Sequence, residues 1–193
     1  VSDRILVLDL ETTWLRGPEA LPIDQQPRII EVGAAVLSRT KGLKKMATFN
    51  TFLNPGIPIP EESVKITGIT DEMVAEAPTF PGIYNQLVEL FYGCRILVAH
   101  NLSFDRAVLV SELERIGRPY QFPWPPEHIC TVEETEHLKG KMLKQKDLYE
   151  LATGEEANQT HRALDDVDQL ITILRWIQKE EGPPWLASPG AIR

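Results

Sequence analysis

A chain of 193 residues, 42% hydrophobic and 25% charged, has the make-up of one soluble globular domain, which excludes disordered, collagen-like and coiled-coil architectures. Its 20 Lys+Arg against 28 Asp+Glu leave a formal charge of -8. This excludes a protein that grips duplex nucleic acid through a broad basic face, but not one that makes a local or metal-mediated contact.

Residues 4–11, 28–39 and 45–54 read as strands, rich in Ile, Val, Leu, Thr and Phe and separated by Gly and Pro. The first is apolar on both faces, as a central covered strand would be. Pro55 to Pro60 breaks the pattern and opens a stretch of short helical pieces, with Thr70 or Asp71 capping one and Thr79 another that runs to Gly93. Residues 95–99 predict a fourth strand, followed at once by a helix over 103–116. Pro123-Trp124-Pro125-Pro126 reads as a surface connection, 129–132 as a fifth strand, and 145–152 and 160–180 as the closing helices. The order β-β-β-α-β-α-β-α-α predicts an α/β domain over 1–181, built on a five-stranded mixed sheet flanked by helices. Residues 182–193 form a Pro-rich tail, expected to be flexible. Two cysteines, Cys94 and Cys130, are too few for a disulfide framework and lack C-x-x-C spacing. No apolar run approaches the ~20 residues of a membrane span. Both features point to a cytoplasmic protein without a membrane anchor.

Three sets of polar residues stand out against this apolar pattern. Asp9 and Glu11 lie two apart on the first strand, so they share one face of the sheet. Two unpaired carboxylates there cost several kcal/mol each unless a divalent cation joins them or the strand has already ended in solvent. His100-Asn101-Leu102-Ser103-Phe104-Asp105 begins where the fourth strand ends. If that strand lies beside the first, Asp105 comes close to Asp9 and Glu11; alternatively it complements a helix dipole. His161-Arg162-Ala163-Leu164-Asp165-Asp166 opens the last helix. There the stripe through Val167, Leu170, Ile171 and Leu174 turns Asp166 toward the sheet and Asp165 away, with Asp168 at the other margin. His161 reads as a structural cap or as a base.

In this order and on these elements, the three motifs resemble the DEDDh, or DnaQ-like, group of 3'-5' exonucleases, to which proofreading subunits of bacterial replicative polymerases belong. The family pattern is D-x-E, then H-N-x-x-F-D, then H-x-A-x-x-D, and the resemblance covers about residues 4–180. Arg28 to Gly33 and Ile66 to Thr70 support it. It implies an RNase H-like fold, hydrolysis from the 3' end to nucleoside 5'-monophosphates, and two divalent ions, Mg²⁺ or Mn²⁺. By the same resemblance Asp9 bridges both metals, Glu11 and Asp166 hold the one carrying the attacking water, Asp105 supports the other, and His161 is the general base. Thr12, Thr13 and Ile66 are expected at the terminal nucleotide, with Asn101 and Phe104 shaping the site. Ile66 and Phe104 also fit plain core packing.

Two features depart from the family. Trp14 stands where many relatives have Gly, before a long connection from Leu15 to Pro27, and Thr67 stands where His is expected before Gly68. Trp14 either stacks on a base or covers an apolar patch. Lys139, Lys141, Lys144 and Lys146 form either a backbone contact for a single strand or a solvated charge run. The expected substrate is single-stranded DNA or the 3' end of duplex DNA, with a polymerase or other replication or repair protein as partner. RNA trimming on the same fold is the alternative, and a non-catalytic module that docks nucleic acid or a polymerase is an alternative of another class.

Overall fold

The computed structural model describes residues 3–14, 21–157 and 161–187. In chain order these form β1 (Arg4–Thr12), β2 (Ile29–Ser38), β3 (Lys44–Phe52), α1 (Glu61–Thr67), α2 (Asp71–Val74), α3 (Phe80–Phe91) and β4 (Ile96–Ala99). There follow α4 (Leu102–Arg115), β5 (Glu127–Cys130), α5 (Thr131–Glu134), α6 (Gln145–Thr153) and α7 (Ala163–Glu180). The strands make one sheet in the order β3-β2-β1-β4-β5. It is antiparallel between β3, β2 and β1, and parallel between β1, β4 and β5. The parallel pairs need crossovers, which α1 to α3 and then α4 supply.

Alternation along β1 assigns the two faces. Leu6, Leu8 and Leu10 enter a core with Leu87, Phe91, Val108 and Leu109 of α3 and α4. Ile5 and Val7 enter the opposite core with Val167, Leu170, Ile171 and Leu174 of α7. Each such side chain contributes about 1.5–3 kcal/mol on burial, so both faces of β1 are strongly specified. Because successive side chains alternate, Asp9 and Glu11 continue the α7 face beyond Val7. Beside them in register on β2 stand Gly33 opposite Asp9 and Glu31 opposite Glu11. The register then shifts between Glu11 and Thr12, so that Thr12 faces Ile29. The extra residue, Ile30, turns into a small core with Ile59, Ile69 and Val74.

Several boundaries differ from the sequence expectation. The fifth strand comes two residues early, at Glu127–Cys130, because its partner β4 ends at Ala99, opposite Cys130. Thr131 is then fully buried and starts a helical turn, with the Thr135 hydroxyl donating to its carbonyl at 2.7 Å. The Pro123 to Pro126 connection is not purely superficial. Trp124 packs edge-on against Phe91 and Phe122, at ring-centre distances of 5.9 and 5.0 Å. Residue 160, the expected start of the last helix, lies outside the described residues, and α7 begins at Ala163.

The flexible tail expected from residue 182 is corrected for its first part. Pro184–Leu186 forms a short turn with Leu186 fully buried against α7. Arg39 donates to the Trp185 carbonyl and the Trp185 indole donates to Glu134, both at 3.1 Å. Residues 188–193 lie outside the described residues. Both cysteines are free thiols and buried. No helix among the described residues is long and apolar enough to cross a membrane.

Candidate active site

The site forms where the C-terminal end of β1 meets the first turns of two helices from opposite faces. Asp9 and Glu11 project toward α7, which brings in Asp166 one turn after its start. One carboxylate oxygen from each of Asp9, Glu11 and Asp166 lies within 4.8 Å of the other two. Asp105 arrives from α4, and its Oδ1 accepts a hydrogen bond from the Leu10 amide at 3.1 Å. That bond ties α4 to β1 at the residue between Asp9 and Glu11. It also makes Asp105 more than a helix-dipole partner, because the carboxylate bonds a backbone amide of β1; Asn101, in a left-handed conformation with φ 65, occupies the N-cap position of α4. Asp165 and Asp168 stay outside, the latter paired with Lys45 at 2.8 Å.

Buried like charges set the electrostatics. Burial pushes Asp9 well above the ordinary carboxylate range, reinforced by Asp105, Glu11, Asp166 and Glu31. Burial, then Asp166, Glu31 and Asp105, push Glu11 up to about 8. Burial raises Asp105 to about 8 against the opposing backbone N–H bonds. Asp166 rises to about 6, chiefly through burial, with His161 pulling the other way. Hard oxygen donors converging this closely fit a divalent cation such as Mg²⁺ or Mn²⁺.

A stability prediction follows. A metal-free native state that keeps protons the unfolded chain has released loses stability as pH rises from the ordinary carboxylate range through about 8. Adding Mg²⁺ or Mn²⁺ at a hundredfold excess over Kd should raise Tm by roughly 5–11 °C at pH 8. The gain should be smaller at pH 5, where protons already occupy the carboxylates. Thermal denaturation at both values, with and without chelator, checks it, and an equal gain at both would count against the site.

His161 precedes α7 with φ 47, a left-handed conformation that His adopts more readily than most residues. It lines a cavity of about 230 Å³ together with Asp9, Asp166, His100, Lys144 and Lys146. His100 is held below the ordinary imidazole range, to about 4, by burial, and its Nδ1 lies 3.0 Å from the Thr131 hydroxyl.

The sequence motifs assigned no role to Glu31, Arg162 and Gly33, which fix this arrangement. Glu31 is buried and receives Arg162 through both carboxylate oxygens, at 3.0 and 2.9 Å. It also accepts the Ala163 amide at 3.2 Å and so satisfies one of the free N–H groups at the start of α7. Arg162 lies over the Phe52 ring at 4.7 Å. A Cβ on Gly33 would stand 2.3 Å from the Ala163 carbonyl carbon, so only glycine lets α7 approach β2 this closely. The available signal was a glutamate and a glycine inside an otherwise apolar strand.

The residues expected at the substrate divide. Ile66 is 38% exposed, so core packing does not account for it. Asn101 is exposed and Phe104 packs half-buried on the α4 core. Thr12 is buried, with its hydroxyl donating to the Trp14 carbonyl at 2.5 Å. Thr13, expected at the terminal nucleotide, is placed as a brace. It is fully buried, its Oγ1 accepts from the Arg28 amide and its carbonyl accepts from the Ser63 hydroxyl, so it has no surface to offer. Trp14 is 48% exposed on the rim of a second cavity of about 390 Å³, with Leu21, Pro27 and Ile57. Residues 15–20 of the long connection lie outside the described residues.

Fold and site together define the RNase H-like nuclease class. The chain belongs to the exonuclease family, whose sequence profile, described as "Exonuclease", matches residues 6–174. A Mycobacterium tuberculosis protein named as a bifunctional exonuclease/endonuclease is 33% identical over 92% of this chain, which spans 27% of that protein. The PolC-type DNA polymerase III of Caldanaerobacter subterraneus is 32% identical over 90% of this chain and 11% of its own length. The DNA polymerase III epsilon subunit of Buchnera aphidicola is 29% identical over 84% of this chain and 67% of its own. The chain therefore spans about a quarter or less of the first two relatives. Among solved structures, exonuclease X in complex with 5' overhanging duplex DNA aligns with TM-score 0.65 and 25% identity over 93% of both chains. A DEDDh nuclease domain bound to rAMP shares the fold, with TM-score 0.72 and 19% identity over 93% of this chain and 94% of its own.

Proposed function

We propose that this domain is a metal-dependent 3'-5' exonuclease that removes nucleoside 5'-monophosphates from single-stranded or frayed DNA 3' ends. The observation that carries the reading is the convergence of Asp9, Glu11 and Asp166 within 4.8 Å, beside a cavity that His161 also lines. Relatives named as DNA polymerase III and its epsilon subunit support DNA as the substrate and a polymerase as the setting.

In this reading Asp9, Glu11, Asp166 and Asp105 would hold two Mg²⁺ or Mn²⁺ ions, Asp9 serving both, Glu11 and Asp166 the one on the water side and Asp105 the other. When bound, such a pair supplies Lewis-acid stabilisation to the attacking and leaving oxygens of an in-line displacement. The imidazole of His161 takes one proton from the attacking water. The new bond joins that oxygen to phosphorus, and the bond from phosphorus to the 3' oxygen breaks. The leaving 3' oxygen takes a proton from solvent, so the shortened strand leaves with a 3' hydroxyl and the terminal residue as its 5'-monophosphate, and His161 returns its proton to solvent. Asp105, bound to the Leu10 amide, and Glu31, bound to Arg162 and the Ala163 amide, hold the two helices that carry this chemistry. Thr12, Ile66, Asn101 and Phe104 contact or shape the pocket for the terminal nucleotide.

The test is degradation of matched 5'-labelled and 3'-labelled single strands of DNA and RNA in Mg²⁺ and Mn²⁺. The 5'-labelled DNA should give a descending ladder and the 3'-labelled DNA free mononucleotide from the first turnover. Faster loss of RNA would move the substrate to the other sugar, and no turnover of either sugar in either metal would overturn the enzyme reading.

A further inference from the structure

We propose that Lys144 and Lys146 form the phosphate-binding wall of the catalytic cavity, holding non-bridging oxygens of the strand that enters it. This rests on the exonuclease reading and adds a contact that none of the three motifs contains. Four lysines crowd the segment from Lys139 to Lys146, and the fold separates them. Lys144 and Lys146 line the 230 Å³ cavity shared with Asp9, His161 and Asp166. Lys139 and Lys141 are exposed and do not line it.

The first turn of α6 is fixed in place by two contacts. Gln145, between the two lysines, donates from Nε2 to the Asp166 carbonyl at 2.8 Å. Leu148 is fully buried in the core that also contains Val167, Leu170 and Ile171. The stems of Lys144 and Lys146 therefore start from a backbone tied to the helix that carries Asp166, which lowers the entropy lost when their ammonium groups engage a ligand.

Charge identifies that ligand. Lys144 and Lys146 line the same cavity as Asp9 and Asp166, yet neither lysine has an ion-pair partner among the described residues. The carboxylates are suited to the metal and the lysines to an anion. In a nuclease the anion at that place is a phosphodiester, for which lysine serves as a compact point charge. The overall acidity of the chain makes such a local pair more important, since the rest of the surface repels the backbone.

The experiment measures binding of a fluorescent single-stranded DNA ending in a phosphorothioate linkage, in Mg²⁺, across a salt series, alongside kcat and KM on the cleavable strand. Lys144→Ala and Lys146→Ala should each reduce the slope of log K against log salt by about 0.7, the share of one phosphate contact on a single strand. KM should rise about 3–10-fold per substitution while kcat changes little, the pattern of a lost charge-assisted contact that is uniform between ground and transition states. Lys144→Arg and Lys146→Arg should restore both readouts, and Lys139→Ala and Lys141→Ala should leave both at the starting value. Unchanged slopes in Lys144→Ala and Lys146→Ala, or equal changes in all four alanine variants, would overturn the proposal while an active enzyme kept the exonuclease reading intact. Slopes that fall as expected in a protein that cleaves nothing would keep the anion wall and remove the exonuclease reading. No binding of the strand by the unsubstituted protein would overturn the proposal.

Discussion

Asp9→Ala should abolish strand hydrolysis and remove the metal-dependent gain in Tm, whereas His161→Ala should lower kcat by about 10²–10⁴-fold and keep that gain. The contrast follows from where the two groups sit. Asp9 supplies one of the three oxygens that converge within 4.8 Å, on the central strand of the sheet, so under the proposed function its loss would remove a ligand as well as a charge. His161 lines the cavity but is not one of the three converging oxygen donors, so under the proposed function its loss would remove the proton acceptor and leave the metal ligands in place. A second readout separates the roles further. Asp9 is pushed well above the ordinary carboxylate range by burial and by Asp105, Glu11, Asp166 and Glu31. Asp9→Asn should therefore raise the stability of the metal-free protein at pH 8 while removing its response to Mg²⁺. Thermal denaturation and single-turnover cleavage measure all of these. Normal cleavage by His161→Ala would overturn the base, and an undiminished Tm gain in Asp9→Ala would overturn the ligand.

Gly33→Ala should destabilise the domain by about 3 kcal/mol or more, lowering Tm by roughly 6–12 °C, and reduce turnover about 10²-fold in whatever folds. The added Cβ would meet three backbone atoms of the first turn of α7, the Ala163 carbon at 2.3 Å and the Ala163 oxygen and Leu164 nitrogen at 2.5 Å. Backbone cannot rotate aside as the end of a flexible side chain can, so α7 must retreat. The same retreat lengthens the bond from the Ala163 amide to Glu31 and draws Asp166 away from Asp9 and Glu11. Gly82→Ala is the matched control. It lies within α3, its nearest neighbour would be the Pro78 Cβ at 3.4 Å, and alanine there should be neutral or stabilising by about 0.4–1 kcal/mol. Chemical denaturation of both variants is the measurement, and equal stabilities would show that the close packing of β2 against α7 does not matter.

Much of this site is legible in residue types and spacing. The β1 pattern, apolar on both faces, marks a central strand. The two-residue spacing of Asp9 and Glu11 puts both on one face, and the apolar stripe from Val167 to Leu174 selects Asp166 over Asp165. Those readings hold because they depend on periods of 2 and 3.6, which the backbone imposes locally. Asp168 illustrates the same rule from the other side, since the margin of the stripe leaves it exposed and paired with Lys45.

Other features depend on what lies across from a residue and have no local signature. Thr13 is expected at the terminal nucleotide, but Arg28 and Ser63, from distant parts of the chain, take up its polar atoms. Trp185 and Leu186 read as part of a loose tail, but α7 offers an apolar groove that seats Leu186. Four lysines read equally as a strand contact or as a solvated charge run, and Gln145 and Leu148 dock only the last part of the segment beside the cavity. Residue order and spacing give the α/β class and the three carboxylate-bearing motifs, because periodicity and residue chemistry are properties of short segments, and the resemblance carried by those motifs gives the family. What no short segment contains is the pairing of Glu31 with Arg162, the approach of α7 over Gly33, and the place of two lysines out of four in the cavity lining. Each of those depends on a contact between residues far apart in the chain, and packing alone brings such residues together.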